Sequence, residues 1–307
     1  MNLLVGATGF VGGHLVDYLF QQGEISKGVF RKGAHLKIMD ANGVQGLEAD
    51  LLDHHSLHEA TEGVDVVYNL ASPMPDSDTG FMQINTEGLL NLLEVSTESK
   101  AKAFVHLSTI EVFGFGAGKV TSASSPRPSN EYQRSKVEAE RILMEFAKRN
   151  QEPRIVIIRS AKGVGSRDES MVVPILRMLG SGKVLIPRSG KMSFSHPRDI
   201  AQAMFKAASG AFPSGSVFQI KSFDSTVEEL AREIVAQVDA RVEVRKQGMF
   251  SASQFPKYAA EEINASLFLE EQQNWKELGY EPQYSLKATC EEIANWYRRD
   301  PWSAGRE

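Results

Sequence analysis

The chain has 307 residues, of which 42% are hydrophobic and 24% charged, and it carries a formal net charge of −5. Such a chain can bury a sizeable core as two domains or one large α/β unit, and its acidic balance argues against a general nucleic-acid or membrane-surface binder. No apolar run reaches bilayer-spanning length, and a single cysteine, Cys290, excludes internal disulfides and a cysteine-rich metal site.

Leu3 to Val5 form a short apolar run that ends in Gly6, and Gly9 and Gly12 follow at three-residue spacing before a helical pattern starts. A buried strand, a tight glycine turn and a helix N-terminus make a cradle for a pyrophosphate. The helix is expected over 10–22, with Val11, Leu15, Leu19 and Phe20 on its buried face and Gly23 as its stop. With the strand starting at residue 2 or 3, no leader peptide is expected, and the composition is consistent with a cytoplasmic protein. A second strand over 27–30 ends in Arg31-Lys32-Gly33, where a dinucleotide places its adenosine ribose. Cations there without a nearby carboxylate favour NADP, with NAD left open.

A third strand is expected over 44–50, then a helix over 56–62 with Ser56 as N-cap and Glu59 completing a capping box. His54, His55 and His58 lack a carboxylate or cysteine at ligand spacing and read as a polar helix start, so no metal is expected. Strands follow over 64–70 and 103–108, with a helix from Asn85 to Val95 between them. A serine- and proline-rich loop leads to a helix from Tyr132 to Lys148, then a strand over 154–159. Strands alternating with helices predict a doubly wound parallel sheet with right-handed crossovers.

The second half is less regular. Helices are expected over 172–179, 200–208, 227–238, 259–269 and 286–298, and strands over 217–220 and 242–245. Cys290 reads as a small buried hydrophobe in the last helix. No linker separates the halves. The expected organisation is a Rossmann domain of residues 1–160 plus about 194–222, interleaved with a smaller substrate domain of about 161–193 and 223–307.

Tyr132 and Lys136 stand one helical turn apart on a common face. An ammonium beside a phenol stabilises phenolate, and a tuned tyrosine exchanges a proton with a carbonyl or alcohol oxygen. Ser108 and Thr109 end a central strand, where a hydroxyl can donate to the same oxygen.

The ordered set Gly6-Ala-Thr-Gly-Phe-Val-Gly12, Asp50-Leu-Leu-Asp53, Asn69-Leu-Ala71, Asn85-Thr-Glu-Gly88, Ser108-Thr109 with Val112-Phe-Gly114, and Tyr132-Gln-Arg-Ser-Lys136 resembles the extended short-chain dehydrogenase/reductase superfamily, also called the NAD-dependent epimerase/dehydratase family. His196-Pro-Arg-Asp199 and Leu278-Gly-Tyr-Glu-Pro282 resemble its later signatures. The resemblance implies an NAD(P)-binding Rossmann domain and a catalytic set of Tyr132 as acid/base, Lys136, and Thr109 with Ser108 as its neighbour. It implies cofactor contacts from Gly6, Thr8, Gly9, Phe10, Val11 and Gly12 in the loop and from Arg31, Asp50 and Leu51 at the adenosine end. Leu70, Ala71, Ser72 and Asn85 complete them, with Tyr132 and Lys136 on the nicotinamide ribose. A homodimer through helices 86–97 and 131–149 is implied in the same way.

Within that family, Ile110 replaces the aspartate of the sugar-dehydratase pattern, whereas Glu111 keeps its glutamate, either facing the cleft or lying on the surface. Met192 occupies the register of the arginine that sugar-nucleotide members place on the diphosphate, with Lys191 and Arg188 nearby but out of register. Arg159-Ser-Ala-Lys-Gly-Val-Gly165 also departs from the family pattern. The reading favoured by these departures is an NADP(H)-dependent oxidoreductase that interconverts a carbonyl and a secondary alcohol on a small-molecule substrate. A nucleotide-sugar epimerase is the alternative, and a non-catalytic nucleotide-binding protein the second alternative.

Overall fold

A computed structural model describes residues 1–31, 42–73, 80–188, 190–247, 254–256, 259–270 and 273–299. Lys32, Gly33 and Ser189 lie outside the described residues. Seven strands form one sheet in the order β11-β7-β5-β4-β1-β2-β3. They are β1 (Asn2–Val5), β2 (Ser26–Phe30), β3 (Gln45–Glu48), β4 (Val66–Asn69), β5 (Ala103–Thr109), β7 (Arg154–Ser160) and β11 (Ser216–Ile220). Every pairing in this sheet is parallel. The chain moves outward from β1 in one direction and then returns to build from β4 in the other. The strand ends between β1 and β4 are therefore the crevice where a doubly wound sheet takes its ligand.

Both faces are covered, as an all-parallel sheet requires. On one face α1 (Phe10–Gln21) packs against α6 (Pro197–Ser209), burying Leu15, Leu19, Ile200 and Met204. On the other lie α2 (His54–Thr61), α3 (Leu89–Glu98) and α4 (Glu131–Arg149), burying Leu57, Leu92, Ala139 and Leu143. Phe20, expected on the buried face of α1, is 56% exposed, because the helix turns it past the α6 contact. Asp53, not Ser56, caps α2. Its carboxylate accepts the His55 N–H, so the helix starts two residues earlier than expected, while the Ser56 hydroxyl donates to the Asp53 carbonyl. The three histidines instead face Glu94, Glu59 and Glu98 on the surface, and the described residues hold no metal-binding cluster.

The second half builds a mixed sheet, ordered β12-β10-β14-β6 with β8 also on β10. These strands are β6 (Gly118–Val120), β8 (Lys162–Gly163), β10 (Met192–Ser195), β12 (Phe223–Ser225) and β14 (Leu267–Leu269). A separate parallel pair joins β9 (Lys183–Ile186) to β13 (Glu243–Lys246). Their core takes in α5 (Val172–Met178), α7 (Val227–Gln237) and α10 (Leu286–Arg299), with Cys290 fully buried as expected. The helix expected over 259–269 stops early. Only α8 (Ala260–Ile263) is helical, and Leu267 and Leu269 then alternate inward as β14, parallel to β6. A further helix, α9 (Gln273–Leu278), seats Trp275, whose indole N–H donates to the Gln219 carbonyl. None of the described helices is long and apolar enough to cross a membrane.

Candidate active site

The glycine loop is determined by contact distances as much as by φ. Gly6 has φ +92°, and a Cβ there would stand 3.0 Å from the Ala71 nitrogen. A Cβ at Gly12 would overlap the Gly6 carbonyl oxygen, so α1 approaches the β1 turn only because residue 12 is glycine. Gly9 is the N-cap of α1 and provides no side-chain cap, and the first turn holds no acidic residue. The first N–H groups of α1 thus point toward the crevice without a local anion, which fits a dinucleotide pyrophosphate.

Two adjoining cavities and one small pocket hold most of the expected residues. Thr8, Gly9, Phe10, Val11, Leu70 and Ser72 line the first cavity, of about 680 Å³, together with Ser108, Thr109, Tyr132 and Lys136. Gly6, Arg31, Asp50, Leu51 and Ala71 line a pocket of about 120 Å³ at the ends of β1 and β2. Two expected residues stand behind these walls. Gly12 packs under the Gly6 turn, and Asn85 is buried with its amide donating to the Ser135 hydroxyl at 2.9 Å. Ser135 donates in turn to the Tyr132 carbonyl at 2.7 Å, so Asn85 braces the first turn of α4.

Asn130 caps α4 through the Gln133 N–H, which starts the helix one residue before Tyr132 and points Tyr132 and Lys136 at the crevice. Lys136 donates to the Leu107 carbonyl at 3.1 Å, and burial lowers its pKa to about 8 despite Glu140 and Glu111. Thr109 Oγ1 accepts the Glu111 N–H at 3.1 Å, which leaves its own O–H free to donate. Ser108 is occupied differently. Its hydroxyl donates to Glu140 at 2.5 Å, and Glu140 is held by Arg159 through a two-point contact at 2.9 and 2.6 Å. The pairing makes Ser108 part of the β5–α4–β7 framework.

Glu111 faces the cleft rather than the surface, lining both cavities. The second cavity, of about 450 Å³, brings Glu111 together with Tyr132, Lys162 and Glu262. Burial and then the Glu262 charge raise the Glu111 pKa well above the usual carboxylate range. Burial, followed by Glu111 and Glu262, also raises the Tyr132 phenol well above its ordinary value. The expected lowering of Tyr132 by Lys136 is therefore reversed here, first because the phenol is buried and then because Glu111 and Glu262 face it, while Lys136 donates to the Leu107 carbonyl.

Met192 is 3% exposed in the second core, and its side chain is not on the cleft. Lys191 pairs with Asp224 at 3.1 Å, and Arg188 is exposed; neither lines the cavities. Besides Lys136, the cations that do are Lys162 and Arg167. Lys162 is placed by the β8–β10 ladder opposite Phe194 and pairs with Glu262 at 2.7 Å. Asp168, 4% exposed, also faces this cavity. Sequence reading missed Asp168, Arg167 and Glu262, because no spacing links them to Tyr132. Only the return of α8 over the cleft brings Glu262 in.

A model of the NAD dependent epimerase/dehydratase family matches residues 2–220. The dTDP-D-glucose 4,6-dehydratase of Homo sapiens is 26% identical over 256 residues, covering 76% of this chain and 72% of that protein. A solved UDP-glucose 4-epimerase has a TM-score of 0.83 at 19% identity, with 98% of each chain covered. The UDP-glucose 4-epimerase from Bifidobacterium longum in complex with NAD+ and UDP has a TM-score of 0.80 at 18% identity, again with 98% of each chain covered. The structural likenesses show a shared fold, including the mixed sheet of the second half.

Proposed function

The chain belongs to the NAD-dependent epimerase/dehydratase family, and from this we propose that it is an NAD(P)-dependent enzyme that moves hydride at a hydroxyl-bearing ring carbon of a nucleotide sugar, as an epimerase. The observation that carries this reading is the meeting of Thr109, Tyr132 and Lys136 in one cavity beside the glycine loop. Bound in that crevice, a nicotinamide dinucleotide supplies reversible hydride acceptance. Gly6, Gly9 and the α1 N-terminus would hold its pyrophosphate, Arg31, Asp50 and Leu51 its adenosine end, and Lys136 its nicotinamide ribose.

The chain's own part is proton handling and orientation. Thr109 donates its free O–H to the reacting oxygen. As tyrosinate, Tyr132 would take the hydroxyl proton of the carbinol whose hydride the bound dinucleotide accepts, and would return that proton to the oxygen when the hydride is given back to the opposite face. Burial of Ile110 at 1% exposure leaves no acid at the dehydratase aspartate position, which supports epimerisation over water elimination. Nucleotide sugars appear in the names of the human dehydratase and the epimerase structures, and this moves the substrate class away from the free carbonyl/alcohol pair expected from Met192. Arg167 on the cavity wall provides a guanidinium suited to the diphosphate that Met192 cannot bind. A second copy of this chain would dock on the groove beside α4, where Met82 and Leu90 are exposed among Arg134, Glu138 and Arg141.

Incubation of UDP- and dTDP-hexoses with the protein and a catalytic amount of NAD or NADP is expected to interconvert epimers, read by NMR. Turnover confined to ketones or alcohols lacking a nucleotide would overturn the substrate class and leave hydride transfer standing.

Arg31 is exposed at the end of β2 in the adenosine pocket and supports NADP use. In fluorescence titrations, Arg31→Ala is expected to weaken NADPH by about tenfold, the loss of one charge-assisted contact worth about 1.5 kcal/mol, with NADH unaffected. Equal NADPH affinity in both proteins sinks the preference; the structure of the B. longum relative names NAD+.

A further inference from the structure

Arg167 stands apart within the stretch that follows β8. Val164, Gly165, Ser166 and Asp168 are buried, and Arg167 among them is exposed on the wall of the cavity that holds Thr109, Tyr132 and Lys136. Its φ is +72°, in the left-handed region that a residue with a Cβ adopts at a cost. Among the described residues its guanidinium has no hydrogen bond or ion pair.

The neighbours on both sides are tied down. Ahead of it, the Val164 N–H donates to the Ser195 carbonyl at 3.0 Å, and a Cβ at Gly165 would stand 3.0 Å from Pro197 Cδ at the start of α6. Behind it, Asp168 Oδ1 accepts from the Ser170 N–H and O–H at 2.9 and 2.5 Å, and the Asp168 carbonyl accepts the Val173 N–H at 2.9 Å. Ser166 is held from far away in the chain. Its hydroxyl donates at 2.6 Å to Glu292 Oε1, in the middle of α10.

Glu292 has its own anchor. Its other oxygen lies against Nε2 of His196, the N-cap of α6, whose ring is fully buried and stacked on Tyr284 with 3.6 Å between centroids. His196 Nδ1 accepts the Arg198 N–H at 3.2 Å, so the proton of the neutral ring sits on Nε2, the nitrogen that meets Glu292. One carboxylate thus joins the start of α6 to the loop that carries Arg167. An amide in its place would turn an N–H toward one of these two donors.

We propose that Glu292 is a positioning residue for substrate binding, which through Ser166 fixes Arg167 toward the diphosphate of a nucleotide sugar. This rests on the nucleotide-sugar reading and adds to it a determinant outside the cavity, because neither Ser166 nor Glu292 lines it. Released from Glu292, the left-handed residue relaxes toward an ordinary backbone conformation and carries the guanidinium with it, and binding then has to restore the strained form. The dinucleotide's pyrophosphate has the same chemistry, so its binding is measured separately.

Isothermal titration of the full chain with NAD bound tests this as a double-mutant cycle, with UDP- and dTDP-glucose as ligands and dinucleotide fluorescence alongside. Arg167→Ala is expected to weaken the nucleotide sugar about tenfold, the loss of one charge-assisted contact, with the dinucleotide unaffected. Ser166→Ala and Glu292→Gln are each expected to weaken it about fivefold when Arg167 is present and not at all once Arg167 is alanine. Denaturant unfolding is expected to show the same stability loss from Ser166→Ala in both backgrounds, which separates the packing of the loop from its effect on binding. In turnover the Ser166→Ala loss is expected in KM and not in kcat, as for binding energy shared by ground and transition states. Should Glu292→Gln fail to fold, the Ser166–Arg167 cycle still decides. Binding losses that multiply in the double variant, or that fall on the dinucleotide, overturn the positioning role and leave the nucleotide-sugar reading intact. Wild-type affinity for the nucleotide sugar in Arg167→Ala does the same. Failure of every nucleotide sugar to bind overturns both.

Discussion

Tyr132→Phe is expected to lower turnover by about 10²–10⁴-fold while dinucleotide binding is retained. The substitution removes only the phenolic oxygen. The ring keeps its edge contact with Phe81, and the α4 start keeps the Asn130 cap and the Asn85–Ser135 brace. Fold and cofactor crevice therefore survive, and the loss falls on the chemical step. Single-turnover kinetics beside a dinucleotide fluorescence titration separate the two. Unchanged turnover removes Tyr132 from the proton path. The carboxyl groups around the phenol add a direction. Glu111 and Glu262 raise the Tyr132 pKa after burial does, so the neutral phenol persists to higher pH, and a rate limb that needs tyrosinate lies on the alkaline side.

Gly12→Ala is expected to destabilise the fold by about 3 kcal/mol and to abolish dinucleotide binding, because a methyl group there collides with backbone and cannot rotate away. A Cβ at this position overlaps the Gly6 carbonyl oxygen and stands 2.9 Å from its carbon. Relief requires α1 to lift from β1, which moves the N–H groups that face the pyrophosphate. Gly9→Ala is the internal control. Its φ is −74° and its Cβ would stand 3.3 Å from the Gly6 oxygen, a tight contact but not an overlap, so a smaller loss of stability than in Gly12→Ala is expected. Denaturant unfolding and cofactor titration read both variants. Wild-type affinity in Gly12→Ala would mean that the helix does not need this approach.

The parallel sheet was legible because its signals are local. Val5-Gly6 and the β-branched runs of β4 and β7 each sit within a few residues of the element they define, whereas the Asn130 and His196 caps, which start α4 and α6 earlier than expected, were not read. Where reading failed, competing local signals decided. Ser56 and Glu59 make a plausible capping box, but Asp53 accepts the His55 N–H first. Leu267 and Leu269 continue an apolar helical pattern, yet β6 offers them a strand partner. That partner is far away in the sequence, and β6 and β14 are only three residues each, too short to carry a period.

By itself the sequence determined the strand–glycine–helix cradle, the alternation of strands and helices that makes a parallel doubly wound sheet, and the presence of a tyrosine and a lysine on one helical face. All three follow from local spacing and pattern. Only the tertiary structure decided that Ser108 is bound to Glu140, that Met192 turns into the core, and that Glu111 meets Glu262 and Lys162 beside Tyr132. Those facts depend on how β8, β10 and α8 pack across the sheet ends. Long-range packing sets burial and charge neighbours, and burial and charge neighbours set the chemistry of the side chains that the glycine cradle serves.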